Sequence, residues 1–398
     1  MTEDDHQSTG ALSVPEAALP ADSLPPLPPL PPVAVGPTRR RRWPWVLFIV
    51  VVVGLAVASR IQLNEYALQP GTAQSVQQFI TVPADKAHPV NHPVLLNDVL
   101  IGRVNALSWI YYKLQSDVAF ETVPSVTGGT AASELDAQGD LEMSQAEAAA
   151  KTAALTRLGY HVTATAAGAV IFGTFPGTPA YGVLDVGDVV TAVDGTPTLT
   201  AAALSTALDH HASGETVTLS VRRGGTGAAT PVRITLKSTV INLGYATNGK
   251  GPYVRVTLGI QPEDQVDYTY PFPVDIDVTN IGGPSAGLAM TLGVIDTLDG
   301  GSLTGGRTVA ATGTIDAKGD VGAVGGVAQK TVAVENAGAT IFFVPVPEYN
   351  AAMSEDKPGL KVYAVSSLNQ VLAILAHHGG TVPPPVSASS TTSTTAAG

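Results

Sequence analysis

The chain has 398 residues, of which 44% are hydrophobic and 14% charged, with a net charge of −12 and no cysteine. That apolar content excludes wholesale disorder, and the length allows two or three domains. The acidity excludes a general nucleic-acid binder, and the missing cysteines exclude disulfides, thiolate metal sites and cysteine nucleophiles.

Residues 1–42 start acidic, turn proline-rich around Leu24-Pro25-Pro26-Leu27-Pro28-Pro29, and end in Arg39-Arg40-Arg41-Arg42. Polyproline cannot build a packed core, so a disordered tail is expected. Trp43 to Ser59 is an uncharged run of 17 residues, followed by Arg60. It is expected to form a single transmembrane helix over 43–59. The arginines before it place the amino terminus in the cytoplasm and the rest of the chain outside. A cleaved signal peptide is the alternative. The long tail before the arginines and the lack of a small-x-small site weigh against it.

Residues 60–155 form an extracytoplasmic region of mixed pattern. Tyr66 to Gly71 reads as a turn, Thr81-Val82-Pro83 as the end of a short strand, and Val94 to Leu100 as a strand. Leu107, Ile110, Tyr111 and Leu114 have helical spacing. Ser144 to Leu158 reads as a helix, with Ser144 and Glu147 as a capping box and Gly159 as its stop.

Residues 156–239 read as one β-rich module. Ala169-Val170-Ile171-Phe172 is a buried strand and Pro176-Gly177-Thr178-Pro179-Ala180 a turn. Gly187-Asp188-Val189-Val190-Thr191-Ala192-Val193-Asp194-Gly195 is a strand with a tight turn. Thr200 caps a helix to Asp209, and Thr216 to Val221 alternates as a strand. This order resembles a bacterial PDZ domain. The resemblance implies capture of a peptide carboxyl terminus by strand addition. Its carboxylate loop would correspond to Leu158-Gly159-Tyr160-His161. A glycine helix cap followed by an ordinary strand fits the same residues.

Residues 240–381 alternate strands and helices. Strands are expected at Tyr253–Ile260, Val274–Val278, Val309–Thr312, Thr340–Pro345 and Val362–Val365. Helices are expected after Gly287, over Val327–Ala337 and over Leu368–His377. Residues 382–398 are a Pro/Ser/Thr/Ala tail, expected to be disordered.

The chemistry centres on Gly282-Gly283-Pro284-Ser285-Ala286-Gly287, which opens the apolar run Leu288–Leu298. A serine at a helix amino terminus has free N–H donors and a helix dipole beside it, which suits an oxyanion. The plain alternative is a helix cap. A nucleophilic serine needs a base. None of the eight histidines lies in 240–376. Lys330, among Val324, Val327, Ala328 and Val332, can serve if burial lowers its pKa. An exposed helix lysine is the alternative. The histidines do not make a metal site: Pro89 and Pro93 break the helical spacing of His88 and His92, and His210-His211 and His377-His378 read as solvated helix ends.

Gly283-Pro284-Ser285-Ala286-Gly287, Thr312-Gly313-Thr314-Ile315 and Gly325-Gly326-Val327-Ala328-Gln329-Lys330 occur in that order. Together they resemble the proteolytic domain of the Lon protease family. The resemblance implies Ser285 as nucleophile, Lys330 as general base, and Thr312 as a hydrogen-bonding neighbour of the lysine. Many members carry an acidic residue three positions before the serine, where Gly282 stands here. A glycine there resembles the membrane-anchored, PDZ-containing branch. No Gly-x4-Gly-Lys-[Ser/Thr] phosphate loop is present.

The expected architecture is therefore α+β: one transmembrane helix, a PDZ-like module and an α/β Lon-type domain. Whether residues 60–155 contribute strands to the protease fold, making the module an insertion, stays open. The expected activity is ATP-independent endopeptidase cleavage of unfolded or flexible envelope proteins by a Ser-Lys dyad. Expected partners are protein or peptide substrates and the membrane; no cofactor, metal or nucleic acid is implied. The resemblance also implies a homo-oligomer. The rival reading is a non-catalytic envelope scaffold with a degenerate Lon-like domain.

Overall fold

The computed structural model describes residues 43–384, except 129, 131, 243–252, 279–280 and 356–357. The expected tail over 1–42 and all but the first three residues of 382–398 lie outside the described residues. Residues 1–53 and 54–398 separate as two units.

Helix α1 (Trp43–Ala58) has 16 apolar residues, none buried. At 1.5 Å per residue it is about 24 Å long, short of the roughly 30 Å of a bilayer's hydrocarbon core. Among the described residues no helix is long and apolar enough to cross a membrane.

Residues 54–398 begin with β1 (Gln62–Ser75), β2 (Val94–Asn105) and β3 (Ala119–Thr122), then α2 (Ala132–Arg157). A β-rich part follows: β4 (Thr163–Thr174), β5 (Val189–Val193), α3 (Ala201–Asp209), β6 (Thr216–Arg222), β7 (Thr230–Thr235) and β8 (Ile260–Thr269). The remainder is α4 (Gly287–Leu298), β9 (Val309–Ala311), α5 (Val327–Asn336), β10 (Ile341–Pro345), β11 (Lys361–Val365) and α6 (Leu368–His377).

One six-stranded sheet has the order β11-β10-β9-β2-β1-β3. Three of its strands precede the β-rich part and three follow it. β2, β9, β10 and β11 run parallel to their neighbours in that series, whereas β1 pairs antiparallel with β2 and β3. The parallel strands β9 and β10 are buried throughout, which is why they read as unbroken apolar runs. Tyr66–Gly71, expected as a turn, lies inside β1. Pro70 begins a register irregularity there, where a missing N–H donor is tolerated.

The second sheet has the antiparallel order β8-β4-β5-β6-β7. Ile171, Leu184, Leu204, Leu219, Leu236 and Leu258 fill its core. β8 pairs with β4 from Ile260 opposite Thr174 to Thr269 opposite Thr163. The second sheet thus takes one strand from beyond residue 239. The expected strand Tyr253–Ile260 divides: Tyr253–Val256 pairs with Thr239–Asn242, and β8 starts at Ile260. The expected strand Val274–Val278 shrinks to Asp275–Ile276, paired with Ile80–Thr81. Thr200 caps α3 as expected, its side chain accepting from Ala203 N–H.

α2 runs for 26 residues, so Ser144 is an interior residue and not an N-cap. The stretch before Ser144 contains no proline, and its Gly139 lies against the turn at Gly283, whose N–H donates to Gly139 O at 3.1 Å. Met143, Ala146, Ala150 and Ala153 of α2 share one core with Leu288, Met290 and Leu292 of α4 and with Leu96 and Phe343 of the first sheet. Small residues on α2 let the two helices approach closely.

Asp296 of α4 is buried in this body. It accepts from Leu303 N–H at 2.9 Å and from Gln77 Nε2 at 3.3 Å. Burial raises its pKa from 3.8 to about 6, against the opposing Leu303 hydrogen bond. A raised carboxyl pKa means stability falls as pH rises through 3.8 to 6, and the deficit is complete above that window. Asp296→Asn keeps an acceptor for Leu303. It is expected to raise stability by about 1 kcal/mol at pH 7 and by less at pH 4, read from thermal unfolding at the two pH values.

Candidate active site

Three chain turns meet at one point. Ser285 sits in the 3-10 turn Pro284–Ala286, which runs directly into α4. Thr312 follows β9, and Lys330 lies in the first turn of α5. Lys330 Nζ donates to Ser285 Oγ at 2.7 Å and to Thr312 Oγ1 at 3.1 Å. Thr312 Oγ1 donates in turn to Ser285 O at 3.3 Å, and Gly313 N–H donates to the same oxygen at 3.0 Å. Leu288 N–H closes the dock by donating to Gly313 O at 3.0 Å.

Two glycines permit this approach. A Cβ on Gly287 would lie 3.0 Å from both the backbone nitrogen and Cγ2 of Ile315, so a larger residue there would push α4 and the Ile315 strand apart by a few tenths of an ångström. Gly326 caps α5 at φ +67°, and a Cβ there would meet Val99 Cγ2 at 2.8 Å. That contact presses α5 onto β2 and carries Lys330 inward.

Lys330 is only 3% exposed and Thr312 fully buried, whereas Ser285 is half-buried and accessible. Burial lowers the lysine pKa from 10.5 to about 8, and the Asp98 carboxylate on β2 opposes that fall. A neutral amine can accept the serine proton while donating to Thr312. Pro284 has no N–H, Gly287 N–H donates to Pro284 O and Leu288 N–H to Gly313 O, so donors for an oxyanion beside the serine come from the turn Ser285–Ala286.

The structure thus brings Ser285, Thr312 and Lys330 together. It also adds residues the sequence did not single out. Asp98 sets the local field at Lys330, and Asn97 Nδ2 donates to Ala311 O at 2.9 Å, fixing the end of β9 just before Thr312. Both lie on β2, more than 180 residues before the serine, and no local pattern marks them. Among the described residues, no group of three or more His, Asp or Glu side chains is placed to hold a metal.

Leu158, Gly159 and Tyr160 behave as a helix end. Gly159 N–H donates to Thr156 O and Tyr160 N–H to Leu155 O, while Leu158 and Tyr160 pack on the core shared by α2 and α4. Of the two readings of these residues, the glycine cap is the one whose hydrogen bonds are present. Among the described residues the second sheet has two edge strands, β7 and, beside α3, β8. There a groove of about 200 Å³ runs between Leu204 and Leu208 of α3 and the segment Leu258-Gly259-Ile260. Gly259 has φ +81°, the backbone of a sharp turn. Its signal, a glycine between apolar residues before an alternating stretch, was absorbed into the expected strand Tyr253–Ile260.

The lysine's low pKa has a measurable sign. The neutral fraction grows as pH rises through about 8, so the rate at which Ser285 reacts with an acylating probe should climb with the same inflection. Asp98→Asn removes the opposing carboxylate and is expected to move that inflection to lower pH; Lys330→Met should abolish labelling. Stability follows the same group: the fold binds fewer protons than the unfolded chain between about 8 and 10.5, so the burden of the buried ammonium is relieved as pH rises through that window.

Residues 274–377 match the family model for the Lon protease (S16) C-terminal proteolytic domain, and residues 156–234 match that for the PDZ domain. A 117-residue stretch is 32% identical to Lon protease 2 of Bacillus subtilis (strain 168), covering 29% of this chain and 20% of that relative. The chain thus spans about a fifth of the length of the curated relative it matches. Two stretches of the chain are thus similar to a Lon protease (S16) C-terminal proteolytic domain and to a PDZ domain.

Proposed function

We propose that this protein is a serine endopeptidase in which Ser285 is the nucleophile and Lys330 the general base. The observation that carries the reading is the 2.7 Å contact between Lys330 Nζ and Ser285 Oγ at a lysine whose pKa is lowered to about 8. Neutral Lys330 takes the hydroxyl proton as Oγ attacks a peptide carbonyl carbon. The tetrahedral oxyanion is met by N–H groups at the turn. Lys330 then gives its proton to the leaving amine, and the C–N bond breaks to leave an acyl-serine. Water, deprotonated by the same amine, releases the carboxylate product and restores the serine. Thr312 orients the amine by accepting one of its N–H bonds.

Substrates are unfolded or flexible protein segments. The 398 residues contain no phosphate-binding loop, which supports ATP-independent action. The PDZ domain supports capture of substrate carboxyl termini at the groove between α3 and the start of β8. Membrane attachment by α1 is part of the same proposal. Its residues are wholly apolar, Trp43 and Trp45 mark one end, and four arginines precede it. Its short length is accommodated by local thinning of the bilayer or by flanking side chains that reach the interface.

The cleavage assay is direct. An unfolded protein substrate is expected to be cut by the unmodified enzyme, and Ser285→Ala and Lys330→Ala should each lower kcat/KM by about 10³-fold or more. A chain that cuts nothing, with both variants retaining the cellular phenotype, would instead be the non-catalytic scaffold. For attachment, the full chain should sediment with membranes and resist carbonate extraction, while deletion of 43–58 should release it; a deletion variant that still sediments would refute the anchor.

A further inference from the structure

The tail-binding groove and the nucleophile turn lie along the same strand. Among the described residues β8 is a terminal strand of its sheet, with no strand paired to its outer edge. At its beginning, Ile260 and Pro262 border the groove facing Leu204 and Leu208. Farther along, Glu263, Gln265 and Tyr268 of the same strand line a second cleft, of about 520 Å³. The far wall of that cleft includes Glu142 of α2 and Pro284, the residue before Ser285.

Ser285 and Lys330 do not themselves line the cleft, but its wall abuts their turn. A Cβ on Gly283 would lie 3.9 Å from Glu142 Oε2, and the Gly283 N–H donates to Gly139 O of the same helix. Glu142 also senses Glu263 across the cleft: burial, then the Glu263 charge, raise its pKa. The two walls are therefore close enough to interact. Both belong to one compact unit.

We propose that β8 is a ruler: a substrate's carboxyl-terminal segment adds to its open edge, and the strand sets the distance from the captured carboxylate to the bond that Ser285 cleaves. This rests on the reading of Ser285 as a nucleophile. A carboxylate held at Leu258–Ile260 makes the added strand antiparallel to β8, because the substrate then runs toward its own amino terminus as β8 runs toward Thr269. Antiparallel addition matches one substrate residue to one strand residue. The segment opposite Glu263 to Tyr268 then lies about three to eight residues from the carboxylate, and cleavage falls within about ten residues of the end. The substrate class is an extended, unfolded protein terminus, not an internal loop.

A nested series of unfolded peptides tests this, using the full-length protein. All share one internal sequence and differ in the length of a carboxyl-terminal extension, and products are mapped by mass spectrometry. The cut is expected to move outward with the terminus, staying within about ten residues of it. Amidating the terminus is expected to lower kcat/KM by about tenfold or more, since the carboxylate is the fixed end of the ruler. Cuts that remain at one internal sequence whatever the extension would overturn the ruler and leave the protease reading standing. No cut in any peptide, with Ser285→Ala equally silent, would overturn both.

Discussion

A lysine placed where water cannot reach it is the constraint around which this molecule is arranged. An ammonium at 3% exposure is costly, and that penalty lowers the pKa to about 8. Keeping the amine useful then needs two oxygen partners within hydrogen-bonding reach, supplied by Ser285 and Thr312. Each comes from a different turn, so the turns must be fixed relative to one another to within tenths of an ångström. The hydrogen bonds from Gly313 and Thr312 to Ser285 O, and from Leu288 to Gly313 O, provide that registration.

The rest of the catalytic body serves the same end. Fully buried β9 and β10 place Thr312 at the end of a rigid parallel strand, and Thr312 N–H donates to Phe343 O at 3.0 Å. α5 reaches β2 closely because Gly326 carries no side chain. α2 supports the serine turn from the other side through Gly139. The site is thus assembled from residues separated by up to about 230 positions, all held by one sheet and three helices.

Much of this was legible in the sequence, for identifiable reasons. Ser285, Thr312 and Lys330 sit in short glycine-rich motifs whose close approaches only small residues allow, so the site left a local signature. β9 and β10 were readable because burial on both faces produces apolar runs bounded by turns, and α6 because Leu368, Val371, Leu372 and Leu375 bury one face at helical spacing. Legibility failed where an element's identity depended on distant partners. Pro70-Gly71 resembles a turn until β2 is laid against it. Ser144 resembles a cap until α2 is seen continuing upstream along α4. Leu158–Tyr160 offered both a helix cap and a peptide loop, and only the packing against the α2–α4 core separated them. Asp98 and Asn97 had no signal, since their effect on Lys330 and β9 exists only across strands.

The divided sheet also governs how the chain must be made. β2 supplies the edge onto which β9 pairs, Val94 opposite Val309, yet about 200 residues separate the two in synthesis. At ordinary translation rates that interval is roughly 10–40 s. Over that time the edge of β2 waits without its partner while an entire second sheet is synthesised and can close around its own core. The Ser-Lys pair cannot form until α5 has emerged, and β11 and α6 complete the body only near the end. On the proposed reading of Ser285 and Lys330 as nucleophile and base, the site stays unassembled until α5 has emerged, so it cannot act on the earlier segments while they are still unfolded.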